Sequence, residues 1–140
     1  MHFNYELMEF IIYTNTVWNS PPRSRHQLAS ALSNKKIKTT FVAANVMGTP
    51  DIETIKVNEF LDVIIPHFPV SRRVRYRTPL LNEGYQLWLF PVLKTRFDKN
   101  VIVICCDFGG YLVGKYFKNL IYFASDDFIN NVKLPLIMKK

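Results

Sequence analysis

A chain of 140 residues that is 49% hydrophobic and 14% aromatic is long enough to bury a core, which excludes a disordered protein. Its formal charge of +7 is compatible with nucleic acid, an anionic membrane surface or a phosphorylated ligand, and charge alone does not choose among them. No apolar run approaches the roughly 20 residues of a membrane span, and residues 1–9 lack the pattern of a signal peptide. We therefore expect a cytoplasmic protein with one domain over residues 1–140.

The first half of the chain predicts a strand, a helix and a second strand. The run Phe10–Tyr13 is β-branched and aromatic and is followed by turn formers, as expected of a short buried strand. Leu28, Ala29 and Leu32 then recur at helical spacing, and Ile37–Ala44 is rich in strand formers. Such a unit has parallel strands joined by a right-handed crossover.

The remaining elements extend this pattern. We predict a weaker strand at Ile52–Val57, a better one at Phe60–Pro66, a long helix at Leu80–Phe97, a strand at Val101–Cys106, a short helix at Tyr111–Phe117 and a strand at Leu120–Ala124. This succession predicts a three-layer, Rossmann-like α/β domain with a mostly parallel sheet. The first strand and the Val101 strand are expected to be neighbours in the middle of that sheet.

Several kinds of site have no support in the sequence. Cys105 and Cys106 are adjacent in an apolar run, where alternating side chains point to opposite faces, so we expect buried thiols in a reducing compartment. The three histidines lack metal-binding spacing, and we predict no metal. No dinucleotide fingerprint, phosphate loop or nucleophile elbow occurs, so we predict no cofactor and assign no catalytic residue.

Polar residues follow the first strand at the sheet edge where α/β proteins bind ligands. Arg23, Arg25 and His26 fall in or near the first helical turn, where backbone N–H groups favour an anion. The alternative is a solvated turn whose arginines pair with nearby acids. Trp18 suits stacking on a sugar or base, or else covers a core edge.

Two later strands end in acidic residues at the same edge. Asp107 precedes Gly109 and Gly110, a pair that lets a ligand approach the backbone, and its carboxylate suits hydroxyl groups. The alternative role of Asp107 is to cap the following helix. Asp126 and Asp127 can supply one carboxylate to the cleft while the other caps a helix.

The segment Ser71–Arg77 is predicted to be a loop and holds four arginines: Arg72, Arg73, Arg75 and Arg77. Three readings stay open for it. It is a solvated connection, a contact with an anionic membrane, where each basic residue is worth about 1 kcal/mol, or a nucleic-acid surface. Because only Tyr76 interleaves with the arginines, no nucleic-acid partner is expected.

Trp18-x-x-Pro21-x-Arg23-x-Arg25-His26-Gln27-Leu28-Ala29 resembles the amino-terminal motif of bacterial GT-B glycosyltransferases of the family 4 kind. Their motif reads roughly Trp, two or three residues, then Pro-x-Arg-x-His-His-Leu-Ala. On that alignment His26 matches the first histidine, Gln27 replaces the second, and Arg23 lies one place early. The strands that end in Asp107 and in Asp126-Asp127 are also similar to that group.

The resemblance implies the acceptor-binding domain of an enzyme that moves sugar from a nucleotide sugar to a glycan or lipid-linked acceptor, in capsule or other cell-surface polysaccharide synthesis. His26 would then contact the acceptor or a sugar phosphate, Arg23 and Arg25 anionic groups, and Asp107 and Asp126 hydroxyls. Nucleotide sugar would bind only with a carboxyl-terminal domain, and the protein would lie in the cytoplasm, peripheral to the inner membrane. The alternative is a non-catalytic, flavodoxin-like nucleotide-binding or signalling domain.

Overall fold

A computed structural model describes residues 8–19, 24–98, 100–107 and 109–123. Three of the predicted site residues, Arg23, Asp126 and Asp127, lie outside the described residues. The described strands are β1 (Glu9–Tyr13), β2 (Lys38–Val42), β3 (Val46–Met47), β4 (Asp51–Asn58), β5 (Leu61–Phe68), β6 (Ile102–Cys105) and β7 (Asn119–Tyr122). The helices are α1 (Ser24–Asn34), α2 (Arg72–Arg77) and α3 (Pro79–Arg96), with one 3₁₀ turn at Val113–Lys115.

In the described part of the chain, the strands form one sheet in which β5, β2, β1, β6 and β7 lie side by side and parallel. Short β3 pairs parallel with the end of β5, and β4 pairs antiparallel with β5. The predicted parallel neighbours, with β1 and β6 adjacent in the middle, are confirmed. Helix α1 connects β1 to β2, and α2 and α3 connect β5 to β6, because parallel strands require crossover connections; the connection from β6 to β7 holds the 3₁₀ turn.

The order of the five main parallel strands distinguishes two α/β architectures. Numbered along the chain, they run 3-2-1-4-5 across the sheet, which is the Rossmann order. A flavodoxin-like domain has the order 2-1-3-4-5. The Rossmann-like prediction is therefore confirmed, and the flavodoxin-like alternative is wrong.

Helices cover the two faces of the sheet, which makes three layers. On one face, Ile11 and Val103 pack with Leu89 and Phe90 of α3. On the other face, Ile12 and Ile104 pack with Ala29 of α1. Cys105 belongs to the first cluster and Cys106 to the second, so the prediction of two buried thiols on opposite faces is confirmed.

Three local predictions are wrong. Ser71–Arg77 is not a loop, because Ser71 accepts a hydrogen bond from the Val74 N–H and caps helix α2. The short helix predicted over Tyr111–Phe117 is a single 3₁₀ turn at Val113–Lys115. The helical spacing of apolar residues predicts that Leu80 lies on the buried face of the long helix, but Leu80 is 78% exposed, whereas Gln86 of α3 is fully buried.

Candidate functional site

The candidate site lies where β1 and β6 end side by side. The backbone N–H of Cys106 donates to the Tyr13 carbonyl (2.8 Å), which extends the pairing of the two strands by one residue. From β1 the chain continues to α1 on one face, whereas β6 is reached from α3 on the other. This reversal is the topological switch point, outside which ligands of open α/β sheets bind.

Asp107, directly after β6, is 5% exposed. Its Oδ1 accepts hydrogen bonds from the Tyr76 hydroxyl (2.7 Å) and from the backbone N–H of Gly109 (2.9 Å). Burial raises the pKa of the Asp107 carboxyl above its ordinary value, while these two hydrogen bonds and the charges of Arg75 and Arg72 lower it. The alternative role of Asp107 as a helix cap is wrong, because the following 3₁₀ turn has no side-chain cap and Asp107 accepts from Gly109 instead. Contact of Asp107 with sugar hydroxyls stays a prediction.

The two glycines after Asp107 leave room for tyrosine rings. A Cβ on Gly109 would lie 2.1 Å from Cε1 of Tyr76, and a Cβ on Gly110 would lie 2.8 Å from Cε1 of Tyr13. The space beside each glycine where a side chain would lie is therefore taken by a tyrosine ring. Contact of Gly109 and Gly110 with a ligand stays a prediction.

The buried guanidinium of Arg75 in α2 bonds to side chains after β2 and in α3, beside the Asp107 carboxylate. Arg75 is 2% exposed, and it donates to Oδ1 of Asn45 (3.1 Å) after β2 and to Oδ1 of Asn82 (2.6 Å) in α3. Its Cζ also lies 3.8 Å from the centroid of the Tyr85 ring, close enough for a cation–π contact. Asn82 in turn donates to the Gly109 carbonyl (3.0 Å).

Helix α2 thus bridges the carboxyl ends of β1, β2 and β6. Besides the bonds of Arg75 and Tyr76, Arg72 donates to the backbone carbonyl of Asn15 in the loop after β1. The prediction that Arg75 contacts a membrane is wrong, because the surrounding side chains bury it. Arg72, Arg73 and Arg77 are exposed, and their contact with an anionic surface stays a prediction.

Predicted residues after β1 form an aromatic cluster on the α1 face. The His26 ring stacks on Phe41 with 5.1 Å between centroids, and Trp18 lies 4.9 Å from Phe41 and 5.3 Å from His26. Arg25 is 2% exposed and His26 is 7% exposed. The alternative of a solvated turn is therefore wrong for Arg25 and His26. Trp18 packs on the edge of the core, as its alternative role predicted. Contact of Arg25, His26 or Trp18 with an anion or a sugar stays a prediction.

Sequence reasoning missed three buried amides of the site: Asn45, Asn82 and Gln86. Asn45 follows Ala43 and Ala44 at the end of a strand, the same signal that singled out Asp107. Asn82 and Gln86 are one helical turn apart on the buried face of α3, and Gln86 accepts from the Leu112 N–H (2.9 Å). Two amides inside an otherwise apolar helical face were the signal available in the sequence.

No group of three or more His, Cys, Asp or Glu side chains in the described part of the chain is placed to hold a metal ion. Among the described helices, none has the length and apolar character needed to cross a membrane.

No family model and no curated protein matches this sequence. The fold does match solved structures. A trehalose-6-phosphate protein from E. coli bound with UDP-2-fluoro glucose aligns with a TM-score of 0.60 at 11% identity, over 82% of this chain and 32% of that chain. An apo structure of OtsA aligns with a TM-score of 0.56 at 12% identity, over 83% of this chain and 33% of that one.

The third similar structure is an α,α-trehalose-phosphate synthase (UDP-forming) from Burkholderia xenovorans in complex with glucose-6-phosphate. It has a TM-score of 0.53 and 14% identity over 83% of this chain and 33% of that one. This chain thus spans about a third of the length of each of these chains. At such identities the likeness shows the fold alone, a Rossmann-like α/β unit.

Proposed function

We propose that this chain is the acceptor-side domain of a GT-B glycosyltransferase. The observation that carries the proposal is the polar site at the switch point, where α2 ties Asp107 and Asn45 to the loop after β1. The proposal is supported by the likeness in fold to about a third of the chain in two solved structures, one bound with UDP-2-fluoro glucose and one of a UDP-forming synthase. The reaction would move a glycosyl group from a nucleotide sugar to a glycan or lipid-linked acceptor in cell-surface polysaccharide synthesis.

The chemistry of the edge suits a ligand that carries a negative charge. The carboxylate of Asp107, the amide of Asn45 and the hydroxyl of Tyr76 are hydrogen-bonded within the protein and hold α2 at the ends of β2 and β6. The exposed side chains of Arg73 and Arg77 on α2 offer charge-assisted bonds to a phosphate. One of the similar structures holds glucose-6-phosphate, which is such a ligand.

Because Tyr76 and Gly109 already occupy Oδ1 of Asp107, we place Asp107 as a positioning residue. It holds α2 against the end of β6, so that the exposed arginines of α2 stand over the switch point. Acceptor would then contact the outer side of α2 and the loop after β1. Arg25, His26 and Trp18 would support that loop from the α1 face.

Donor binding is assigned to a second domain, which would sit across the cleft. The chain has no glycine-rich phosphate loop after β1, so the pyrophosphate of a nucleotide sugar lacks its usual backbone cradle. The proposed setting is cytoplasmic, at the inner face of a membrane that holds a lipid-linked acceptor.

Calorimetry separates the acceptor role from a donor role. We expect heat of binding with glucose 6-phosphate and none with UDP-, GDP- or ADP-sugars at the same concentrations. The double variant Arg73→Gln/Arg77→Gln should weaken sugar-phosphate binding, whereas Lys35→Gln/Lys56→Gln removes the same charge elsewhere and should not. A nucleotide sugar that binds with a dissociation constant near 1 μM, about −8 kcal/mol, would overturn the proposal.

A further inference from the structure

A cavity of about 170 Å³ lies at the opposite edge of the sheet, near the amino ends of β6 and β7. It is lined by Lys94, Phe97, Asp98, Tyr116, Phe117 and Lys118. Lys94 belongs to the last turn of α3, and the other five residues immediately follow α3 or precede β7. The cavity is therefore separate from the switch-point site, which lies beyond the carboxyl ends of the same strands.

The floor of this cavity is aromatic and fixed by the core. Phe117 is 7% exposed, and its ring lies 6.5 Å from that of Phe90 in α3. Tyr116 lies 6.0 Å from the same Phe90 ring, and Phe97 also packs against this core cluster. A ligand body that contacts these three rings would displace water from apolar surface at little cost in side-chain ordering.

The rim of the cavity carries an excess of positive charge. The side chains of Lys94 and Lys118 are exposed, and among the described residues neither ammonium group has an ion pair or a hydrogen bond. The single acid of the rim, Asp98, already accepts a hydrogen bond from the Asn100 N–H (3.2 Å). Two ammonium groups that have no acidic partner in the described part of the chain lie beside an aromatic floor. They complement a ligand with an apolar body and an anionic end.

We propose that this cavity binds a small organic anion whose apolar body is about the size of one ring. A cavity of about 150 Å³ can hold benzene, so a volume of about 170 Å³ accommodates a single ring. The ring would lie on Phe97, Tyr116 and Phe117, and the anionic group would lie between Lys94 and Lys118. This site is independent of sugar transfer, and its test does not depend on the function of the switch point.

The test uses three probes of similar shape and different charge: benzoate, benzyl alcohol and benzylamine. Backbone amide shifts of the isotope-labelled full chain are followed by NMR during titration. We expect saturable shifts at residues 94–98 and 115–119 with benzoate, much weaker shifts with benzyl alcohol and none with benzylamine. Phenyl phosphate, titrated in parallel, shows whether the site favours a carboxylate or a phosphate; saturable binding of either anion supports the proposal.

Rim variants test the assignment of charge. Lys94→Gln/Lys118→Gln should weaken benzoate binding about tenfold, whereas the control Lys35→Gln/Lys56→Gln should leave it unchanged. Asp98→Asn keeps the acceptor for Asn100 but removes the rim acid, so it should strengthen benzoate binding. Binding of benzylamine as tight as that of benzoate, or benzoate shifts centred outside residues 94–98 and 115–119, would overturn the proposal.

Discussion

The hydroxyl of Tyr76 donates a hydrogen bond of 2.7 Å to Oδ1 of Asp107, across 31 residues of sequence. This bond fastens the short helix α2 to the end of β6, at the point where the sheet reverses its direction of winding. A six-residue helix is too short to be stable in isolation, so its conformation depends on such tertiary contacts. Loss of this hydrogen bond should therefore lower the stability of the domain and change the position of α2.

Stability should depend on pH through Asp107. Because burial raises the pKa of Asp107 in the folded state, the folded protein holds this proton at pH values where the unfolded chain has lost it. The contribution of Asp107 to stability is greatest below its ordinary pKa of about 3.9 and falls as the pH rises through the raised value. Asp107→Asn removes that titration, so the free energy of unfolding of wild type minus that of the variant should decrease from about pH 4 to pH 7.

Urea denaturation at a series of pH values measures that difference. Tyr76→Phe is the companion variant, because the lost hydrogen bond normally lowers the pKa of Asp107. In the Tyr76→Phe background, the contribution of Asp107 to the free energy of unfolding should therefore keep decreasing to a higher pH than in wild type. An unchanged difference between wild type and Asp107→Asn across the series would contradict the burial of a titrating carboxyl at this position.

The two glycines Gly109 and Gly84 should respond oppositely to alanine. In Gly109→Ala the new Cβ meets the Tyr76 ring at 2.1 Å, so the ring must move and the bond to Asp107 must break or bend. We expect a loss of about 1–3 kcal/mol in the free energy of unfolding. Gly84 lies in α3 with nothing within 4 Å of an added Cβ, so Gly84→Ala should stabilise the protein by roughly 0.5–1 kcal/mol. Thermal melts followed by circular dichroism compare the two, and equal shifts in one direction would refute the packing described.

Arg75 should be the most sensitive of the four arginines around α2. Its removal in Arg75→Met leaves the side-chain oxygens of Asn45 and Asn82 without their charged donor in a buried setting. The expected loss is about 3 kcal/mol, and Arg75→Lys should recover only part of it because an ammonium lacks the planar fork. Arg73→Gln, at an exposed position of the same helix, should change stability by about 0.5 kcal/mol or less. Chemical denaturation of the three variants measures these changes in the free energy of unfolding. A loss well below about 3 kcal/mol in Arg75→Met would show that the hydrogen bonds of Arg75 contribute little to stability.

The exposed arginines of α2 should bind anionic membranes weakly. Arg72, Arg73 and Arg77 lie beside Val74, which is 45% exposed, and three contacts at about 1 kcal/mol each give reversible binding that salt weakens. Co-sedimentation with vesicles that contain phosphatidylserine, at low and high salt, tests this. Arg73→Gln/Arg77→Gln should reduce binding and Lys35→Gln/Lys56→Gln should not. If the wild-type chain does not co-sediment with anionic vesicles at low salt, the exposed arginines are solvated and do not contact a membrane.

The strands could be predicted from the sequence because their runs of β-branched and aromatic residues are short and continuous, as in Phe10–Tyr13. The parallel pairing of β1 with β2 could be predicted from the helix between them. The helix α2 could not be predicted in this way, since four arginines in seven residues carry no apolar period and indicate a solvated loop. Its formation depends on Ser71 as cap and on the burial of Arg75 by residues 30 positions before and 7 positions after it.

The candidate site was predicted in its location but not in its contacts. Asp107 could be placed at the sheet edge because it ends the most apolar strand. Two contacts depend on how α2 packs onto the sheet. Tyr76 donates a hydrogen bond to Asp107, and tyrosine rings fill the space beside Gly109 and Gly110. Such a contact joins elements that are far apart in the chain, and no local pattern records it.

We propose that acceptor binds at the switch point, against the outer side of α2 and the loop after β1. Amide shift mapping of the labelled chain with glucose 6-phosphate, beside UDP-glucose at equal concentration, tests it most directly. We expect saturable shifts with glucose 6-phosphate that concentrate at residues 14–19, 71–77 and 107–111, and no saturable shifts with UDP-glucose. Saturable shifts with UDP-glucose at those residues, or glucose 6-phosphate shifts confined to other parts of the domain, would contradict it.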